Sequence, residues 1–463
     1  MTPADDTPLD LLGVGIGPFN LSLAALADGV PRLRTAFLDQ RPRFHWHPGL
    51  LIEGSTLQVP FLADLVSMVD PTSQWSFLNH LRAEGRLFPF YFAERFHVLR
   101  TEFDAYCRWV TEELPSCRFG RRVDEVRWDA GREAFAVTVT PVDESGTPSA
   151  DSHRLHARHV ALGVGTVPRV PEQLRRFVDD PRMPVWHSSA YLDHRDDIVN
   201  RPHVTVVGSG QSGAEVFLDL LRHRPHGREG LSWVARTPAF APMEYSKLGL
   251  EQFTPDYTKY FRGLKEPVRD RLLPDQWQLY KAISGETLGE IHDELYRRTV
   301  DGGWPDVRLT PGVHVGAARE DGLRIELSLS HAQQGTDATL HTDAVVVATG
   351  YDERPLGPVI GPLEPHMSLD ASGRPEIDGA HRLVLDSRVG GSVFVQNAER
   401  HSHGVGTPDL GLAAWRSAVI VNSISEKVYS LPERTAFTTF GLRDPAFAPG
   451  TGRSTRTTTL HGS

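Results

Sequence analysis

One scheme occurs twice along this chain, and the duplication limits the fold more than any single motif does. An apolar stretch at 9–14 runs into the turn Gly13-Val-Gly-Ile-Gly-Pro-Phe-Asn20, and the pattern continues as a helix over 21–27. A second apolar run, 35–38, ends at Asp39. At residue 203 the scheme restarts. Apolar residues 203–207 lead into Gly208-Ser-Gly-Gln-Ser-Gly213, a helix over 214–221 stops before Pro225, and a strand at 231–235 ends beside Arg236. Each copy then returns. The first has strands at 123–128 and 135–142, a polar loop at 143–152 and a return strand at 158–162 ending in Gly163. The second has an alternating run at 323–329, a polar loop at 331–337 and a return strand at 343–348 ending in Thr349-Gly350. Within the first copy, Thr101 is placed to cap a helix whose apolar face carries Phe103, Tyr106, Trp109, Val110 and Leu114.

Glycines recur in such turns for physical reasons. One allows the tight turn, one lets the backbone approach a pyrophosphate, and one permits close helix–strand packing. The helix start then faces the phosphates with unpaired N–H groups and a partial positive charge. Gly208, Gly210 and Gly213 meet the G-x-G-x-x-G spacing strictly, and Gly15 and Gly17 meet it with Asn20 in the third place. Asp39 lies 24 residues after Gly15, suited to a ribose hydroxyl of FAD. The second copy ends instead at Arg236, 28 residues after Gly208, which suits the 2′-phosphate of NADPH.

The fold class read from this is α/β, with two Rossmann-like dinucleotide-binding domains, for FAD and NADPH, and a smaller, mostly helical substrate-binding region. The expected boundaries are 1–200 plus 352–447 for FAD, 201–236 plus 323–351 for NADPH, 237–322 for the helical insertion, and 448–463 as a disordered tail. Only Cys107 and Cys117 occur, which excludes a disulfide framework and a Cys-x-x-Cys redox pair. Disulfide reductases of this architecture are thereby removed, leaving a monooxygenase or a flavoprotein with another acceptor. The net charge of −10 without basic clusters argues against nucleic acid. No apolar run approaches the ~20 residues of a membrane span. The acidic residues 1–10 lack a signal-peptide pattern, so a cytoplasmic location is expected.

Further motifs carry a resemblance. They are Val14-Gly-Ile-Gly-Pro-Phe-Asn-Leu21, Phe44-His-Trp-His-Pro-Gly49, Leu57-Gln-Val-Pro-Phe-Leu-Ala-Asp-Leu65, Asp70-Pro-Thr-Ser73 and Ser76-Phe-Leu-Asn79. To these add Val207-Gly-Ser-Gly-Gln-Ser-Gly-Ala-Glu215, Ala348-Thr-Gly-Tyr351, Gln396-Asn-Ala-Glu-Arg-His-Ser-His-Gly404 and Leu412-Ala-Ala-Trp-Arg-Ser417. Over residues 9–440 the chain resembles the N-hydroxylating flavin monooxygenases of hydroxamate-siderophore biosynthesis, which act on lysine, ornithine or a diamine. The resemblance implies hydroxylation of a primary amine with FAD, NADPH and O₂ through a C4a-hydroperoxyflavin, no metal, and a homo-oligomer, often a tetramer. It places Pro18 and Asn20 in the FAD phosphate turn with Gly13, Gly15 and Gly17, and Trp46, His47 and Gln58 at the flavin. Gln58 is the candidate for helping to shield the reacting oxygen species. Asp409 and Leu410 begin a segment near the flavin ring. Gly208, Gly210, Gln211, Ser212, Gly213 and Arg236 fall to NADPH. His401 and His403 have a metal-like spacing, but the resembled family uses no metal, so His403 is read as structural or near the substrate channel.

Two departures bear on the substrate. Amino-acid hydroxylases of that family usually have Lys where this chain has Ala63, and often Asn where it has Leu250, both contacting the amino-acid head group. Only five Lys occur here, none before Lys247. A carboxylate in a dry site without a cation is costly, by several kcal/mol. The expected substrate is therefore a diamine, cadaverine or putrescine, and Phe61-Leu-Ala-Asp64 resembles the diamine branch. A far ammonium needs an acceptor, for which Glu251 and Glu399 are the candidates. The alternatives are a lysine or ornithine N-monooxygenase with an Arg replacing the Lys, a Baeyer–Villiger or sulfur/nitrogen-oxidising monooxygenase, and a non-catalytic NADPH-sensing flavoprotein. Val185-Trp-His-Ser-Ser-Ala-Tyr191 keeps His187 and Ser188 of the Baeyer–Villiger linker but not its glycine pattern.

Overall fold

The computed structural model describes residues 7–300 and 302–442. The expected tail at 448–463 lies outside the described residues.

Two units of like plan follow from the repeated scheme. In the first, the parallel strands Cys117–Arg118, Thr35–Leu38, Leu9–Val14, His153–Leu162 and Ser392–Val395 lie side by side in that order. The start of His153–Leu162 also pairs antiparallel with Ala134–Pro141, which pairs with Arg121–Asp129. In the second unit the parallel order is Val307–Pro311, Leu231–Ala235, Val204–Val207, Ala344–Val347 and Val185–His187. Its meander is Val313–Asp321, Arg324–His331 and Thr336–Thr342. An antiparallel ribbon, Thr166–Pro168 with Tyr351–Glu353, carries both chain crossings between the units. Strands flanked by helices on both faces read as near-continuous apolar runs, and Val204–Val207 and Ala344–Val347 are buried throughout.

One face of the first sheet packs on the helices Pro18–Asp28, Arg100–Glu113 and Ala413–Ile424 through Leu21, Phe103, Tyr106 and Ile420, all buried. The other face is closed by the meander and the segment around Ile360 and Leu363. In the second unit, Phe217 of the helix Gln211–His223 stacks on Trp233 at 4.9 Å between ring centroids. Leu50 and Ile52 of the first unit join that second core, so the units share buried surface.

Three expectations are corrected. Val185–His187 belongs to the second sheet, so that unit begins before residue 201. Residues 237–322 are helical only to Val300, through Pro255–Arg262, Glu266–Asp275 and Gly285–Val300. Val307–Pro311 and Val313–Asp321 are strands, as the alternation of Val313 and Val315 with exposed residues requires. Thr101 caps nothing. The helix starts at Arg100 because Leu99 bridges Thr56 and the Arg100 N–H donates to the Ser55 carbonyl at 2.9 Å, so strand-like pairing outweighs capping preference. Among the described residues no helix is long and apolar enough to cross a membrane.

Candidate active site

The first turn divides its glycines between packing and ligand. Gly15 has φ +87°, and a Cβ there would sit 2.4 Å from the Gly163 carbonyl oxygen, so the turn rests against the end of the return strand. A Cβ on Gly17 would meet no heavy atom within 4 Å. That open space lies before the helix Pro18–Asp28, whose first residue is a proline needing no N–H partner. A pyrophosphate fits this cradle on both counts: room for close backbone approach, and unpaired N–H groups at the helix start. Two expected ligands of the cofactor have other work. Gly13 sits inside the strand, with the Phe37 ring 2.0 Å from a notional Cβ, so its role is packing. Asn20 is fully buried, and its amide nitrogen donates to the Val14, Gly15 and Ala161 carbonyls while its oxygen accepts from Gln396 at 2.7 Å. It ties turn to sheet from behind, in the place a third glycine would take. Asp39 accepts from the Ile16 N–H at 2.9 Å and pairs with Arg41 at 2.8 Å. Burial opposes ionisation, but Arg41 and the two backbone N–H groups hold the carboxyl below its usual range. Asp39 thus braces the turn, and a ribose hydroxyl bound there would have to share it with Arg41.

The second turn is tighter. Gly208 has φ +131° and a Cβ there would fall 2.1 Å from the Ala348 carbonyl oxygen, while a Cβ on Gly213 would fall 2.8 Å from the Gly208 oxygen. A Cβ on Gly210 would reach Lys281 of the helical segment at 3.4 Å. Gln211 is not free for a cofactor. Its amide donates to Glu215 at 2.8 Å and Thr287 at 2.9 Å, and its oxygen accepts the Ser284 N–H at 2.8 Å. Ser212 is half-buried at the helix start. Arg236 is exposed just beyond Leu231–Ala235, where it can meet a 2′-phosphate.

Between the units lies a wall of aromatic and charged groups. Trp46 packs edge-on against Phe103 at 5.1 Å and against His47 at 5.2 Å, and its backbone N–H donates to Asp104 Oδ1 at 2.7 Å. His47 holds a left-handed backbone at φ 48° and meets Tyr351 of the crossing ribbon at 5.7 Å. Burial, with Arg100 and Arg41 nearby, lowers its pKa to about 4, so at neutral pH it is an uncharged ring. The Gln58 amide nitrogen is buried and donates to no described group, a donor suited to a polar cofactor edge. Arg100 is held bidentate by Glu215 at 2.7 and 2.8 Å, joining the units through a pair 12% and 7% exposed. The Tyr245 hydroxyl, raised to about 12 chiefly by burial, lies in electrostatic range of Arg100 and Asp409. Asp409 accepts the Gly411 N–H at 2.7 Å and starts the short helix Leu410–Leu412, which runs directly into Ala413–Ile424. Leu410 packs against the first core.

Residues 7–353 match the model described as L-lysine 6-monooxygenase/L-ornithine 5-monooxygenase. The chain belongs to that family. A rhizobactin siderophore biosynthesis protein of Rhizobium meliloti is 42% identical over 96% of this chain and 97% of its own length. A putrescine N-hydroxylase of Shewanella oneidensis is 39% identical over 94% and 85%. The FAD-bound crystal structure of a desferrioxamine-pathway cadaverine monooxygenase from Erwinia amylovora superposes with a TM-score of 0.87 at 36% identity, covering 94% of this chain and 99% of that one.

In this N-monooxygenase, the head-group end of the site is where the sequence reading and the structure part. Ala63 is buried, and its methyl lies 4.0 Å from a notional Cβ on Gly411. Leu250 starts the short helix Leu250–Phe253 and is 37% exposed. The two acids expected to receive a far ammonium are both engaged elsewhere. Glu251 is an outward brace that accepts from the Phe437 N–H at 2.9 Å and the Thr438 N–H at 2.8 Å. Glu399 is fully buried, 3.1 Å from Arg416 and 3.3 Å from His381. His403 stacks on His381 at 4.3 Å and bonds Ser402, while His401 bonds the Pro375 carbonyl, so the two histidines face different partners. Sequence reasoning missed Arg100, Glu215 and Tyr245. Glu215 carried a signal, an acid on the buried face of the helix after a glycine turn, and Arg100 stood one residue from the expected cap.

Proposed function

We propose that this chain N-hydroxylates one terminal primary amine of a diamine of the cadaverine or putrescine type, with FAD, NADPH and O₂, as a step toward a hydroxamate siderophore. One observation carries the choice of substrate. Ala63 and Leu250 offer only apolar side chains at the two positions where the resembled amino-acid hydroxylases carry their head-group anchors, and Arg100 is already paired with Glu215. An α-amino acid would set its carboxylate there without the Lys and Asn partners those enzymes supply, and an unpaired carboxylate in a dry site costs several kcal/mol. The relatives named for putrescine and cadaverine support the same reading.

The open position at Gly17 and the helix start behind it would receive the FAD pyrophosphate, and Gln58 would offer its free N–H to the cofactor. The second turn and Arg236 receive NADPH. When bound, FAD reduced by NADPH would supply the chemistry that activates O₂, one atom of which becomes the hydroxyl on nitrogen while the other leaves as water. The chain's own part is to exclude water and to present the amine unprotonated. A free alkyl ammonium has a pKa of about 10.4 and is ~99.9% charged at pH 7. Burial of the reacting amine beside this aromatic wall would disfavour its charged form.

The experiment is hydroxylamine formation from cadaverine, putrescine, L-lysine and L-ornithine with FAD and NADPH added. Product from the diamines in preference to the amino acids supports the proposal. Product chiefly from lysine or ornithine overturns it.

A further inference from the structure

With Glu251 and Glu399 engaged elsewhere, the far ammonium of a diamine needs another acceptor. We infer that Asp409 is the residue that binds it, and so sets the enzyme's preference for diamines over monoamines. The inference rests on the diamine reading above and names a residue for that same site.

Asp409 has the placement that the other acids lack. One carboxylate oxygen, Oδ1, accepts the Gly411 N–H at 2.7 Å, and Oδ2 takes no hydrogen bond from any described residue. No Lys, Arg or His among the described residues lies within ion-pair distance of it. Arg416 is the cation felt most strongly, but it is committed to Glu399 at 3.1 Å and to the Thr407 carbonyl at 2.7 Å. The carboxylate shares a wall with Ala63. Gly411 lies between them, with Asp409 Oδ1 2.7 Å and the Ala63 methyl 4.0 Å from the point its Cβ would occupy. Any larger residue at 411 would strike the carboxylate and close the approach. Tyr245 of the second unit lies within electrostatic range of the same carboxylate.

Asp409 is half-buried, and a carboxylate partly withdrawn from water without a cation gains from an arriving ammonium. The electrostatics agree with the geometry. Burial raises the Asp409 pKa to about 6, against the pull of the Gly411 N–H and Arg416, so the group is mostly ionised at pH 7 and above and favours a bound ammonium. At that end the wall combines a methyl group with an anion, the reverse of what an amino-acid carboxylate needs.

A charge-assisted contact of this kind discriminates by roughly 10- to 150-fold. The experiment compares kcat/KM for cadaverine with that for 1-aminopentane, which has the same chain without the second amine. Wild-type enzyme is expected to prefer cadaverine by that factor, and Asp409→Asn, which can still accept the Gly411 N–H, to bring the ratio close to one. Asp409→Glu keeps the charge, extends it by one methylene, and is expected to shift preference from cadaverine toward the shorter putrescine. An Asp409→Asn enzyme that keeps the cadaverine preference overturns the assignment while leaving the diamine reading intact. Loss of FAD binding with unchanged selectivity overturns it too, and makes Asp409 a cofactor contact. A wild-type enzyme that hydroxylates lysine or ornithine and neither diamine removes the diamine reading and this assignment together.

Discussion

Arg100 and Glu215 join the two nucleotide units, and removing one of them should cost far more than removing both. The pair is bidentate, at 2.7 and 2.8 Å, and its side chains are 12% and 7% exposed. Glu215→Leu strands the guanidinium in that setting. Breaking a buried pair from one side costs about 3–5 kcal/mol. At about 2–4 °C per kcal/mol for a unit of 150–250 residues, the melting temperature should fall by roughly 6–20 °C. Burial raises the Glu215 carboxyl above its usual value even with Arg100 in contact, so desolvation outweighs the attraction. It follows that the double variant Arg100→Met with Glu215→Leu, apolar on both sides, should recover most of the loss. Melting of the FAD-loaded wild type, both single variants and the double variant, followed by flavin fluorescence and by circular dichroism, gives the full cycle. A single variant that melts within about 2 °C of wild type refutes the reasoning, because by the same conversion that corresponds to at most ~1 kcal/mol. A double variant as unstable as the sum of the singles refutes it as well.

Three further outcomes are expected. Gly17→Ala places a methyl in open space, so the apoprotein should melt like wild type while FAD affinity falls at least about tenfold, read by flavin titration. Arg236→Ala should raise the KM for NADPH by roughly 10- to 100-fold and leave that for NADH nearly unchanged, as steady-state flavin reduction will show. Glu229 is fully buried, and although burial opposes ionisation, the Arg298 pair at 2.7 Å and the surrounding N–H groups hold its pKa at about 2. Because the folded value lies below the unfolded one, its contribution of roughly 3 kcal/mol is complete above the ordinary carboxylate value and fades as pH falls toward 2. The gap in melting temperature between wild type and Glu229→Gln should therefore be constant above about pH 5 and close in acid.

The doubly wound plan was legible because the chemistry that makes a nucleotide turn leaves glycines at fixed offsets. Gly15, Gly17, Gly208, Gly210 and Gly213 sit where those offsets require, and the return strands ending at Gly163 and Gly350 follow. Less legible was where each unit begins. Val185–His187 is three residues long, and only its pairing with Ala344–Val347 assigns it to the second sheet. Val313–Asp321 showed its alternation plainly, but aromatic and helix-forming residues upstream drew the whole insertion toward helix. The site divides in the same way. Backbone-driven positions could be read from spacing, whereas Asn20, Gln211, Glu251 and Glu399 matched ligand patterns and turned out to be braces. Which polar side chain is already satisfied depends on partners as remote as Gln396 from Asn20 or Thr438 from Glu251. No local pattern carries that information. Asp409 is the converse case: one oxygen takes the Gly411 N–H and the other takes no hydrogen bond from any described residue.

Hydroxylamine yield from cadaverine, putrescine, L-lysine and L-ornithine, measured side by side with FAD and NADPH present, tests the substrate assignment most directly. Hydroxylated cadaverine or putrescine, with little or no product from the two amino acids, is the predicted result. Efficient hydroxylation of lysine or ornithine would contradict it, since their carboxylate would then be accepted by a site with apolar Ala63 and Leu250 at the anchor positions and Arg100 already paired with Glu215.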